Sequence, residues 1–171
     1  MRKYTGLRAA NYNKDRAHNK AFRWQQEVVK KILLRLQPRQ VLDAPVGTGR
    51  FFEVYQQFPC KVLGIDISPD MLEQAQSIRP ENVLLIQADL FKVEWPEFVV
   101  STRFFGHLKS RENKNRFLSK TQKQLLFSHG PEAYEFIAEN NLEVQETYEM
   151  GDGKHCITLV ERSRSIHPRT H

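Results

Sequence analysis

Three aspartates, Asp43, Asp66 and Asp89, stand 23 residues apart, each at or just after the end of a short apolar run. The first opens a loop, Asp43-Ala44-Pro45-Val46-Gly47-Thr48-Gly49-Arg50. Gly47 and Gly49 let the backbone turn sharply and come close to a ligand where a Cβ would clash. A glycine pair by itself says little. Three strand-end acids beside such a loop look like a nucleoside site, because ligands of parallel α/β sheets bind outside the carboxyl ends of the strands. Two details narrow the ligand. The dinucleotide fingerprint G-x-G-x-x-G needs a third glycine at position 52, where Phe52 is too bulky for the close helix–strand packing that glycine serves. An acid just ahead of the loop also suits a cationic ligand better than a pyrophosphate.

The elements that must position these residues follow from apolar periodicity. Phe22, Val28, Val29, Ile32, Leu33 and Leu36 recur at helical spacing, and Pro38 ends that helix. Residues 40–43 read as a short strand feeding the glycine loop, and 51–55 open the next helix. Residues 61–66 form a second strand, after which Ser68 caps a helix beginning at Pro69. Residues 83–87 and 98–100 are the third and fourth strands. Successive strand–helix steps demand a parallel sheet with helical crossovers. The stretch 109–124 is very polar and helical only by default. Residues 125–127 look like strand five, and 131–140 a helix. Two alternating strands, 142–148 and 155–160, meet across Gly151-Asp152-Gly153, a hairpin signal. The expected organisation is a basic arm over 1–20, one α/β domain over 21–162 and a disordered tail over 163–171. Its sheet is doubly wound and mostly parallel, with a C-terminal antiparallel hairpin.

Leu42-Asp43-Ala44-Pro45-Val46-Gly47-Thr48-Gly49-Arg50 resembles motif I of the class I, Rossmann-like S-adenosylmethionine-dependent methyltransferases, in the variant with proline in place of the first glycine. Asp66-Ile67-Ser68-Pro69-Asp70-Met71-Leu72 is similar to the segment after their second strand, and Gln87-Ala88-Asp89-Leu90 to their motif after the third. Ser101-Thr102-Arg103-Phe104-Phe105-Gly106-His107-Leu108 resembles the stretch after strand four. The resemblance runs in order over about residues 38–108. It implies S-adenosylmethionine as cofactor, no metal, and a cofactor shell of Asp43, Pro45, Gly47, Gly49, Asp66, Ile67, Met71, Ala88, Asp89, Leu90 and Ser101. In that shell Asp43 faces the amino and sulfonium end, and Asp66 accepts from both ribose hydroxyls. Ile67 and Met71 pack on the adenine. Asp89 accepts from its amino group, unless it is only a loop or capping acid, and the Leu90 amide donates to the ring. Arg23 either reaches the cofactor carboxylate or is a surface charge.

Methyl transfer from a sulfonium is an in-line displacement, served mainly by positioning. A base is needed only where the acceptor keeps its proton at neutral pH, and His107 is then the candidate, with His129 a weaker one. The plainer role for His107 is to pack or orient its loop. The glycine pair common before strand five is replaced by Thr121-Gln122-Lys123-Gln124, and the chain is short between strands three and five, leaving little for a substrate lid.

Net charge is +6, but residues 1–50 carry twelve Lys/Arg against three Asp/Glu and residues 103–124 carry seven against one. If these blocks converge on the acceptor side, they steer an anionic acceptor, small or polymer-borne. Otherwise they are solvated helix faces. An RNA methyltransferase is the alternative, drawing on the basic arm with Phe104, Phe105 and Phe117 nearby. A cofactor-binding module without catalysis is a third reading, and a nicotinamide oxidoreductase a distant fourth. Cys60 and Cys156 fit no metal-ligand spacing and read as buried thiols. No apolar stretch approaches bilayer length, so a cytoplasmic protein is expected.

Overall fold

The computed structural model of the chain describes residues 19–151 and 156–163. Helix α1, Lys20–Leu36, starts where the Asn19 side chain accepts from the Ala21 amide at 2.8 Å. It stops at Gln37, whose left-handed backbone returns its N–H to the Leu33 carbonyl just ahead of Pro38. Strand β1, Gln40–Asp43, is followed by the glycine loop and the single-turn helix α2, Phe52–Tyr55. Strand β2, Lys61–Asp66, leads to α3, Pro69–Gln76, with proline in its first turn and the Ser68 hydroxyl accepting from the Met71 amide. Strands β3, Val83–Gln87, and β4, Phe98–Ser101, are joined by ten residues without a helix. A 3₁₀ turn, Phe105–His107, then precedes α4, Arg111–Ser119. Strand β5, Gln124–His129, helix α5, Ala133–Glu139, and strands β6, Leu142–Glu149, and β7, Cys156–Arg162, complete the chain.

The seven strands form one sheet in the order β3-β2-β1-β4-β5-β7-β6. Strands β1 to β5 are parallel, and β7 inserts antiparallel between β5 and β6. This is the doubly wound, mostly parallel architecture expected from the strand–helix alternation. The polar stretch 109–124 does hold a helix: Ser110 caps it by accepting from the Asn113 amide at 3.1 Å, and only Phe117 and Leu118 are buried. The hairpin signal at 151–153 and the basic arm lie largely outside the described residues.

Period-2 alternation sends neighbouring side chains to opposite faces. Val41, Val62, Val83, Val100 and Leu126 pack under α1, α2 and α3. Leu42, Val99, Leu125 and Phe127 pack under the 3₁₀ turn, α4 and α5 with the rings of Trp95, Phe105, Phe117 and Phe136. The second face is an aromatic cluster, with Phe105 and Phe127 edge-on at 5.4 Å and Trp95 and Phe117 at 5.2 Å. With no helix between β3 and β4, Leu84 and Ile86 of the edge strand are left exposed. Among the described residues no helix is long and apolar enough to cross a membrane.

Candidate functional site

Because β3, β2, β1 and β4 are parallel neighbours, their carboxyl ends line one edge of the sheet, and the three spaced aspartates arrive there together. The glycine loop is pinned over this edge by backbone bonds to the flanking strands, Ala44 N to Val100 O at 3.0 Å and Val46 N to Ile65 O at 2.8 Å. Gly47 and Gly49 both hold positive φ, 59° and 83°. A Cβ on Gly49 would fall 2.4 Å from the Phe52 ring, so Phe52 closes over the second glycine where a dinucleotide site keeps a third. Met71 reaches to 3.4 Å from where a Cβ on Gly47 would sit, which brings these two residues together.

Asp66 is the organiser. Its Oδ2 accepts from the Gly47 amide and its Oδ1 from the Ser68 amide, both at 2.9 Å, so the carboxylate ties the glycine loop to the start of α3. Burial pushes its pKa up, and the amides of Ser68, Gly47 and Ile67 pull it partly back. Each oxygen keeps further acceptor capacity. Ile67 beside it is exposed, an apolar side chain at the mouth of the crevice. Asp89 follows β3, and its Oδ1 accepts from the Phe91 amide at 2.9 Å, the loop role open to it from sequence. Ala88 donates to the Asp66 carbonyl at 3.0 Å, and the Leu90 carbonyl accepts from the Trp95 indole at 3.1 Å.

Asp43 is more deeply placed. It is 2% exposed, and burial raises its pKa to about 7 against the opposing influence of Tyr55 and Arg50. Pro45 after it is half-buried. The Tyr55 hydroxyl, on α2, lies close enough to favour the ionised carboxylate but makes no hydrogen bond to it. Asp43 Oδ2, Tyr55 Oη and Ser101 Oγ are therefore buried without a hydrogen-bond partner among the described residues. Orphaned polar atoms are rare in folded proteins and call for a ligand or water. Tyr55 was missed from sequence because, inside an apolar run, it reads as core.

Residues 41–125 match the family model of a methyltransferase domain. The chain belongs to the class I S-adenosylmethionine-dependent methyltransferases. Its cofactor is S-adenosylmethionine, and the orphaned acceptors at a strand edge under a glycine loop fit a cationic nucleoside. The methyltransferase is similar in fold to magnesium protoporphyrin IX methyltransferase from Synechocystis PCC 6803, at 18% identity over 84% of this chain and 80% of that one, with a TM-score of 0.68. A TehB-like methyltransferase from Corynebacterium glutamicum gives 15%, 91%, 98% and 0.65 for the same measures. The 1,6-didemethyltoxoflavin-N1-methyltransferase from Burkholderia thailandensis gives 15%, 91%, 85% and 0.67. No curated protein matches the methyltransferase in sequence.

His107 is exposed at the end of the 3₁₀ turn after β4. His129 is buried, its Nδ1 2.7 Å from the Gly130 carbonyl and its Nε2 2.7 Å from Thr158 Oγ1. A carbonyl only accepts, so Nδ1 carries the proton and Nε2 accepts from Thr158. Burial lowers the His129 pKa, which favours the neutral ring. Arg23 is exposed and lines an open cavity of about 460 Å³ on the helix side of the loop, with Phe22, Gln26, Gly49 and Arg50. Arg50 fastens α1 to the loop, donating to Gln25 Oε1 at 2.7 Å.

The two basic blocks do not converge among the described residues. α1 and α4 lie on opposite faces of the sheet, and the cations of α4 are engaged within the methyltransferase. Arg111 pairs with Glu135 and Glu139 of α5, Lys114 with Glu132, and Lys123 with Glu97. Arg116 and Lys120 lie over the Phe91 and Trp95 rings. Steering of an anionic acceptor is expected of the two blocks together; here Arg111 and Lys114 of this block instead tie α4 to Glu132, Glu135 and Glu139. Reversing charge at Lys109, Arg111 and Lys114 together should lower the melting temperature, because it sets acid against acid, with each exposed pair worth only about 0–1 kcal/mol. A stable variant with a large, salt-sensitive rise in acceptor KM would restore the steering role.

Proposed function

We propose that the protein transfers the methyl group of S-adenosylmethionine to a small acceptor received over the loop after β4. The observation that carries this reading is the Asp66 carboxylate, held by two loop amides at the crevice mouth with acceptor capacity to spare. Asp66 would hold the ribose diol, Ile67 and Met71 the faces of the adenine, and Asp89 and the Leu90 amide its edge. Asp43 would neutralise the cationic end, with Pro45, Gly47 and Gly49 shaping the loop, and Ala88 and Ser101 lining the walls. Bound there, S-adenosylmethionine supplies an electrophilic methyl group on a cationic sulfur. The chain's own residues then have to hold it in line with the acceptor and keep water away, the buried aromatic cluster beneath the loop serving the latter.

His107 is the group proposed to take the acceptor's proton, since its ring is exposed at the end of the turn. His129 does not fit that task as it stands, because its only free lone pair is committed to Thr158. An anionic acceptor draws less on the α4 block, where Arg111, Lys114 and Lys123 are paired with acids. The same pairing weakens the RNA reading.

S-adenosylhomocysteine should raise the melting temperature, since a ligand that binds only the folded state stabilises it, here by about 2.7 kcal/mol at a hundred times its Kd. NAD and NADP should leave it unchanged. Stabilisation by NADH, with no response to S-adenosylhomocysteine, would overturn the assignment of these residues to the cofactor.

A further inference from the structure

Behind the glycine loop, α2 brings a tyrosine into the fully buried space beside the motif I acid. Tyr55 is 0% exposed, packed edge-on against Phe51 at 6.2 Å, and its hydroxyl and the Asp43 Oδ2 both lack a hydrogen-bond partner. A phenylalanine would fill the same volume at no polar cost, so the hydroxyl needs a reason. The charged and titratable groups around the pair are few. Arg50 faces Asp43 from the loop and Asp66 from β2, while Cys60, ahead of β2, faces Tyr55.

Building on the cofactor reading above, we propose that Tyr55 is a positioning residue for Asp43, its hydroxyl steadying the carboxylate that receives the ammonium and sulfonium end of S-adenosylmethionine, so that the cofactor binds with release of a proton. In the free protein the burial of Asp43 raises its pKa to about 7, which favours the protonated form. An arriving cation favours the carboxylate, and the proton leaves to solvent as the ligand binds. The phenol acts in the same direction, since a hydroxyl can donate to the ionised form. The linkage signs are opposite for folding and binding. A carboxyl raised in the folded state stabilises the free protein fully below its unfolded pKa and loses that contribution as pH rises through about 7. Cofactor affinity, in contrast, should rise over that same window.

The test is calorimetric titration of the wild type, Tyr55→Phe and Asp43→Asn with S-adenosylmethionine from pH 5.5 to 8.5, in two buffers of different ionisation enthalpy. The wild type should bind more tightly with rising pH and release protons near neutrality. Tyr55→Phe should move that transition to higher pH, weakening affinity severalfold at pH 7 and recovering it at pH 8.5. Asp43→Asn should abolish the transition. A Tyr55→Phe profile superimposable on the wild type, or an Asp43→Asn variant that keeps the pH dependence, overturns the proposal, and the second arm decides it even if Tyr55→Phe does not fold. A wild type that binds no S-adenosylmethionine at any pH overturns instead the cofactor reading beneath it.

Discussion

Asp66→Ala is expected to weaken S-adenosylhomocysteine binding by about a hundredfold or more while leaving the domain folded. Hydrogen bonds to an ionised group contribute roughly 1.5–3 kcal/mol each, and the ribose offers two hydroxyls to this one carboxylate. The substitution also frees the Gly47 and Ser68 amides that the carboxylate holds at 2.9 Å, so the loop loses its tether to α3. Folding should suffer little, because burial raises the Asp66 pKa. At neutral pH that burial penalises the ionised carboxylate, which offsets part of the cost of the two freed amides. Calorimetric titration together with a melting curve separates the two effects. Unchanged affinity in a folded variant would mean that the ribose lies elsewhere.

The largest expected loss of stability lies far from the site, at the end of β7. The Arg162 guanidinium donates to the carbonyls of Thr121 at 2.7 Å and Asn140 at 2.8 Å, and to those of Leu118 and Ser119 at 3.3 Å. These carbonyls stand at or just past the carboxyl ends of α4 and α5, where the helix dipole is negative. One planar fork therefore locks both helices to the antiparallel strand. Arg162→Ala should cost about 2–4 kcal/mol, less than the sum of its bonds because water reaches the rim, and lower the melting temperature by roughly 5–12 °C. Arg162→Lys should recover only part of this, since an ammonium cannot span four carbonyls with fixed geometry. A lysine variant as stable as the wild type would show that charge alone matters there.

Arg162 and Tyr55 illustrate why parts of this molecule are not legible one residue at a time. In sequence the first is a charge at a strand end and the second an aromatic in an apolar helix. What each does depends on groups far away along the chain, 41 residues in the case of Arg162 and Thr121. The α4 block teaches the same lesson with opposite effect: two cations of a run that suggests an anionic partner, Arg111 and Lys114, meet Glu132, Glu135 and Glu139, which no sequence proximity announces.

The local signals, by contrast, were sufficient for the frame. Apolar runs of strand length alternating with helical periodicity specify a parallel doubly wound sheet, because parallel strands can be joined only by crossovers. Within that frame the spacing of Asp43, Asp66 and Asp89 already placed all three at one edge, since each follows its own strand into the same end of the sheet. Phe52 already argued against a dinucleotide, and the structure adds that its ring closes over Gly49. Only the tertiary structure decided which acid organises the loop, which is buried beside a phenol, which histidine is committed to Thr158, and that α1 and α4 stand on opposite faces. Secondary structure follows from neighbours in the chain, whereas desolvation and the pairing of charges follow from neighbours in space.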